Sequence, residues 1–297
     1  MAINEQVPGT ESSAPLSAAQ VVADSQFELV PLPGDFEAAS VLPRGTWVTV
    51  TSSPTRGLEP TIALTERLAA AGFTAMPHVA AHSVRDRAHL QEVLTRLSEA
   101  RIKQVLVVSG DAPEPGEFRD GLSLLRAMDE IGHHFEEIEV PCYPEGHPTI
   151  SDQALVDALL EKQRHATSMA AQLCFHPEAF RTWLPMIRER GVTLPIILGL
   201  PGPVRMVRLA RIAARIGVAG TARYLQKQHG LLRAVLGRRA FRPDRLMPGF
   251  EEIIADPRSN VYGLHIFTFN EVEPSLRWQR RTLKRLEARG VQAASTA

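Results

Sequence analysis

Cysteine is nearly missing from this chain of 297 residues: Cys142 and Cys174 are the two present. Both sit in apolar, strand-like runs, which argues against a disulfide-stapled secreted scaffold; two buried thiols in a reducing cytoplasm are expected. A surplus of either charge is missing as well. Lysine plus arginine numbers 33 and aspartate plus glutamate 33, so no overall field draws in nucleic acid. No apolar run approaches the ~18–20 residues needed to cross a bilayer, and no membrane partner is expected. The first basic residue is Arg44, so the positive start of an ordinary signal peptide is not found either.

Several catalytic signatures are also lacking. There is no G-x-G-x-x-G turn, no Walker sequence and no G-x-S-x-G nucleophile elbow. The histidines lack metal-ligand spacing on a helix, and His133 and His134 fall in a loop-like "IGHHFEE", so no metal motif is read. What remains is a chemistry of carboxylates, amides and hydroxyls. It suits acid–base work around an organic substrate or cofactor.

Apolar strand-like runs do recur, alternating with helical patterns. They are "FELVPL" (27–32), "TWVTVTS" (46–52), "FTAMPHVA" (73–80), "KQVLVVSG" (103–110), "EIEVPCYP" (137–144), "SMAAQLCF" (168–175), "LPIILGL" (194–200) and "YGLHIFTF" (262–269). Amphipathic segments such as 61–72, 90–101 and 154–166 lie between them. Eight strand–helix units of this length predict a single (β/α)8 barrel over 25–290, with functional groups on the loops after the strands. An open doubly wound sheet is the competing fold, and the absent Gly-rich turn counts against it. Residues 1–24 and 291–297 read as unstructured tails. The connection between strands seven and eight is enlarged, and from Arg205 to Arg245 it carries ten arginines, one lysine and one acid. That stretch reads as solvated helix faces or as a landing strip for an anionic ligand.

On a barrel the strand ends converge on one mouth. They supply Thr51, His78, Gly110 with Asp111, Tyr143 with Glu145 and His147, Gln172, Gly199, and Thr268 with Asn270. Glu28 joins them from inside the first strand, where alternation separates it from Phe27 and Leu29. A carboxylate on a strand covered on both faces is costly unless paired or functional; a solvent-wetted edge is the alternative. His78 reads equally as a core histidine, and Gln172 as a hydrogen bond within a barrel layer. The loop "YPEGHP" is the densest piece, placing a phenol, a carboxylate and an imidazole between prolines.

Taken in order, "FELVP", "MPHV", "VVSGD", "YPEGHP", "AAQLCF", "PIILGLPGPV" and "GLHIFTFN" resemble the methylenetetrahydrofolate reductase family from about residue 25 to 290. The resemblance implies a barrel that reduces 5,10-methylenetetrahydrofolate to 5-methyltetrahydrofolate with NADH or NADPH, in one-carbon metabolism and methionine biosynthesis. It implies that Glu28 protonates N10, and that Asp111 and Gln172 bind the pterin. It assigns Thr51, His78, Gly110, Tyr143, His147 and Lys162 to the cofactor, with Tyr143 and His147 beside a flavin. The chain departs from the family pattern at Ser109, where an arginine helps hold the FAD diphosphate, at Ser52, where an aromatic is common, and at Phe118, where a tyrosine is usual. Two arrangements therefore stay open: bound FAD, or direct hydride transfer from NADH to the folate. A related proline dehydrogenase-type flavoenzyme and a non-catalytic tetrahydrofolate-binding barrel are the rival functions, and Glu28 is the residue that discriminates against the second.

Overall fold

The computed structural model describes residues 16–53, 56–112, 114–205 and 241–296. Eight short parallel strands pair in sequence order and close on themselves: β1 (Gln26–Leu29), β2 (Trp47–Val50), β3 (Thr74–Ala80), β4 (Gln104–Val108), β5 (Glu137–Cys142), β6 (Ser168–Ala171), β7 (Ile196–Pro201) and β8 (Val261–Phe267). Closure comes from β8 against β1, with Gln26 beside His265 and Glu28 beside Phe267. The expected strands are all present, several of them shorter. β1 stops at Leu29 because Pro31 has no amide hydrogen to continue the ladder. β6 stops at Ala171, where the chain turns to hand Gln172 N to Cys142 O and Cys174 N to Gly199 O.

The helices sit outside. They include α1 (Ala18–Ala23), α2 (Asp35–Ala39), α3 (Glu59–Ala70), α4 (Arg87–Glu99), α5 (Gly121–Ile131), α6 (Asp152–Lys162), α7 (Pro177–Glu189), α8 (Met247–Ala255) and α9 (Val272–Thr296). Their start signals are legible: Asp86, Asp120 and Ser151 each accept an amide hydrogen from the first turn of α4, α5 and α6. The enlarged connection between β7 and β8 carries α8 and two short 3-10 turns, Pro243–Arg245 and Pro257–Ser259. Most of the basic stretch, 206–240, lies outside the described residues.

The tail boundaries need correction. Residues 18–23 are a helix, opened by a Ser17–Gln20 capping box, with Val21 and Val22 wholly buried. The Gln279 amide holds this helix by donating to Val22 O and Ala23 O at 2.9 and 3.1 Å. Two adjacent valines bury enough apolar surface to order a segment that is otherwise rich in small residues. At the other end α9 continues to Thr296, through most of the stretch expected to be flexible. Residues 1–15 lie outside the described residues.

Side-chain alternation along the strands makes two interiors. Phe27, Leu29, Val48, Val50, Ile138, Val140, Leu264 and Ile266 face the helices in one large apolar cluster. Inside the barrel a small separate cluster of Met76, Leu106, Ala170 and Ile197 fills one side. The other side is polar.

Candidate active site

Glu28 lies in the polar half, 6% exposed. Its position is set from the end of β8. Thr268 donates its hydroxyl to Glu28 O, and Asn270 clasps Val30 through both its backbone groups, Oδ1 to N at 2.8 Å and Nδ2 to O at 2.9 Å. Asn270 reaches this position from a left-handed turn (φ 63) that asparagine tolerates well. The motif "TFN" thus closes the barrel beside the carboxyl.

Glu28 Oε2 meets His265 Nε2 at 3.2 Å, and His265 is itself 2% exposed. The His78 ring lies 5.9 Å from that of His265, centre to centre, and His78 Nε2 has no hydrogen-bond partner among the described residues. Burial, and then the neighbouring His265, push His78 down to about 3, so it is a neutral imidazole. One donor atom from each of Glu28, His78 and His265 falls within 4.8 Å of the other two. Metals also use two imidazoles and a carboxyl. Here His265 Nε2 is already engaged by the carboxyl, and the geometry is that of an acid–base pair.

A second group of predicted residues gathers at the tips of β4 and β5. Gly110 adopts φ +87, and a Cβ there would lie 2.9 Å from that of Ala80, so only glycine suits the turn that carries the exposed Asp111. Tyr143 meets His147 edge-on at 5.3 Å. Burial pushes the Tyr143 phenol up to about 12, with Cys142 and Asp111 adding to the effect. Glu145, between them, has a structural role. Its Oε1 accepts from Phe175 N at 2.6 Å and His176 N at 2.8 Å, fixing the entry to α7. The loop's chemistry is therefore divided. Its carboxylate holds the next turn, and its two rings pack against each other.

The remaining predicted residues are spread around the rim. Thr51 is half-buried, with its amide on Leu29 O at 2.9 Å and its carbonyl accepting from Thr61. Gln172 is half-buried, and its Oε1 accepts from Leu173 N at 2.8 Å. Lys162 lines a small cavity on the helical side of β5 with Tyr143, Leu159 and Trp183, and lies beside Gly121 at the start of α5. Burial lowers the Lys162 pKa, with Asp120 pulling in the opposite direction.

A scan against known families matches the methylenetetrahydrofolate reductase model over residues 37–276. The chain belongs to that family. At the family level this methylenetetrahydrofolate reductase relative is an oxidoreductase acting on a folate, and membership implies nucleotide or flavin cofactor use in general. The matched residues begin after β1, so Glu28 precedes them. Among solved structures, the chain is similar to a putative phosphonomutase from Burkholderia cenocepacia J2315. The two are 17% identical, with a TM-score of 0.42, over 74% of this chain and 95% of that one. It is also similar to an oxaloacetate acetylhydrolase, at 10% identity and a TM-score of 0.50, over 93% of this chain and 89% of that one. At 10% identity the second likeness is one of fold.

For a family member that holds FAD, the diphosphate needs cations or open amides at the β4 and β5 tips. Here the Ser109 hydroxyl accepts from Gly121 N at 3.2 Å, and Asp120 caps α5 with its own carboxylate. Asp111 acts on Tyr143 and Asp120 on Lys162, so each of these two side chains has a carboxylate for a neighbour. The Ser109 hydroxyl and the Asp120 carboxylate suit a diphosphate poorly, while Lys162, beside Gly121, is a cation that would suit one.

Sequence reasoning missed three polar residues beneath Glu28. Gln26 and Glu139 are 4% and 0% exposed, and His265 lies between Gln26 and Glu28. Their signal was the alternation itself: "QFE", "EIEV" and "LHI" each place a polar side chain on the face opposite an apolar one.

Proposed function

We propose that this protein reduces 5,10-methylenetetrahydrofolate to 5-methyltetrahydrofolate with a hydride from NADH or NADPH. The observation that carries the reading is Glu28: a carboxyl 6% exposed, inside the barrel and hydrogen-bonded to an imidazole. In a purely structural site an apolar residue would fill the space without the desolvation cost.

In the proposed reaction Glu28 gives its proton to N10 of the folate. The bond between N10 and the methylene carbon breaks with its electrons going to N10, and the N5 lone pair forms an iminium with the carbon. Hydride from the dihydronicotinamide then adds to that carbon, leaving N5-methyl and an oxidised nicotinamide. The Glu28 carboxylate regains a proton from solvent at the mouth. Asp111 supplies two acceptor oxygens for the donor edge of the aminopyrimidinone, and Gln172 offers a donor and an acceptor to the same ring. Run backwards, the same steps serve one-carbon oxidation. Free, buried Cys142 and Cys174 support a place in the reducing cytoplasm. The test follows NADH absorbance and folate products with purified protein. Formation of 5-methyltetrahydrofolate is expected, and no product at saturating substrates rules the reading out.

One observation favours a version without flavin: at the β4 tip Ser109 offers a hydroxyl already bonded to Gly121 N, and Asp120 caps α5 with its own carboxylate. In this version the nicotinamide passes hydride directly to the folate. A purified protein that lacks a flavin spectrum yet oxidises NADH supports it. Ser109→Arg adds a guanidinium able to grip a diphosphate in a bidentate way, and should tighten FAD roughly ten- to a hundredfold by fluorescence titration.

A further inference from the structure

Four side chains from three strands form one chain of hydrogen bonds through the barrel interior. Glu139 Oε1 on β5 meets Gln26 Nε2 on β1 at 2.5 Å, and Gln26 Oε1 meets His265 Nδ1 on β8 at 3.0 Å. His265 Nε2 then meets Glu28 Oε2 at 3.2 Å. All four are at most 6% exposed. Glu139 is no mouth residue, since its strand neighbours are Leu106 and Ser168. A carboxyl and an amide sunk this deep are costly unless they organise something.

The donor chemistry orders the protons. With its amide nitrogen on Glu139, Gln26 turns its carbonyl oxygen toward His265, so His265 Nδ1 must carry the hydrogen. His265 Nε2 of the neutral ring is then a lone pair facing the acid. We propose that Gln26 and Glu139 are positioning residues: they hold His265 in its Nδ1–H tautomer, so that Nε2 accepts a hydrogen bond from a protonated Glu28. The inference rests on the proposed role of Glu28 as the acid and explains how that acid is kept charged with its proton. Burial supports it by pushing Glu139 up to about 8, which leaves no full negative charge at neutral pH to draw the proton onto His265. The titratable groups acting on this set are Glu28 on β1, His78 on β3, Glu137 and Glu139 on β5, Tyr262 on β8, and His265 itself.

The test uses the full chain with 15N-labelled histidine, and His265 is assigned by the signal lost in His265→Gln. Long-range proton–nitrogen spectra separate the two tautomers. An Nδ1–H signature for His265 is expected in the native protein, and its loss in Gln26→Leu. In parallel, kcat should fall about tenfold in Gln26→Leu while KM stays within about twofold, with a displaced pH profile. Glu139→Gln keeps an acceptor oxygen for Gln26 and should retain a rate within about threefold of native. The double variant Gln26→Leu/Glu139→Leu leaves no orphaned carboxyl and serves if the single variant does not fold. An Nε2–H signature in the native protein overturns the proposal, because the amide is then reversed and Glu28 is a carboxylate. So does native kcat and pH profile in Gln26→Leu. A native protein with the Nδ1–H signature but no folate reduction supports the tautomer assignment and refutes the proposed function instead.

Discussion

The two faces of the same strands differ in everything but backbone. On β1, Phe27 and Leu29 point out into the apolar shell while Gln26 and Glu28 point in. On β5, Ile138 and Val140 point out and Glu139 points in; on β8, Leu264 and Ile266 flank His265. The outer face is held by burial alone. The inner face on this side carries four polar groups that hold one another, opposite a small apolar cluster around Met76 and Ile197. The contrast teaches that a closed barrel can keep stability and chemistry on alternate residues, so each can be disturbed without the other.

The largest effect should come from Glu28→Gln. The shape is kept and the transferable proton removed, so kcat should fall about 10²–10⁴-fold with the unfolding midpoint nearly unchanged. A variant within threefold of native turnover at saturating substrate would remove Glu28 from the role of acid. The mirror experiment is Ile266→Ala on the outer face. It should cost about 2–5 kcal/mol of stability in a denaturant titration while the folded fraction keeps native turnover. If turnover per folded molecule drops tenfold instead, the two faces are not independent.

A smaller effect is expected at the rim. Asp111→Ala removes a charged acceptor and should weaken 5-methyltetrahydrofolate binding by about 1.5–3 kcal/mol in calorimetry, leaving stability alone. Unchanged affinity would move the pterin site elsewhere. The smallest is a pH effect on the inner face. Glu139 is raised from 4.5 to about 8 in the folded protein, so folding favours its protonated form. That contribution is full below pH 4.5 and is lost as pH rises through about 8. His78, lowered from 6.5 to about 3, has the opposite sign and acts below 6.5. Between pH 6.5 and 8 the native unfolding midpoint should therefore fall more than that of Glu139→Gln; parallel curves would mean that Glu139 is already ionised.

The amino-acid order alone determined much of this protein. Eight apolar runs separated by amphipathic segments specify a barrel, because each strand and each helix can hide its apolar face only against the next unit. Glu28 stood out for the same reason: an acid inside a buried strand must be paired or functional to offset its desolvation. The rim residues were legible as strand-end positions, since topology sends those ends to one mouth. What the order of residues could not supply was which distant groups touch. Glu139 and Gln26 are 113 positions apart, and His265 is 239 from Gln26. Only closure of β8 onto β1, with the register that sets Gln26 beside His265, brings them into one chain. The role of Glu145 was hidden likewise, because its partners at Phe175 and His176 come from the neighbouring strand's loop. Periodicity reports which face a side chain takes; partners across a barrel are decided by register and closure, which exist only in the folded chain.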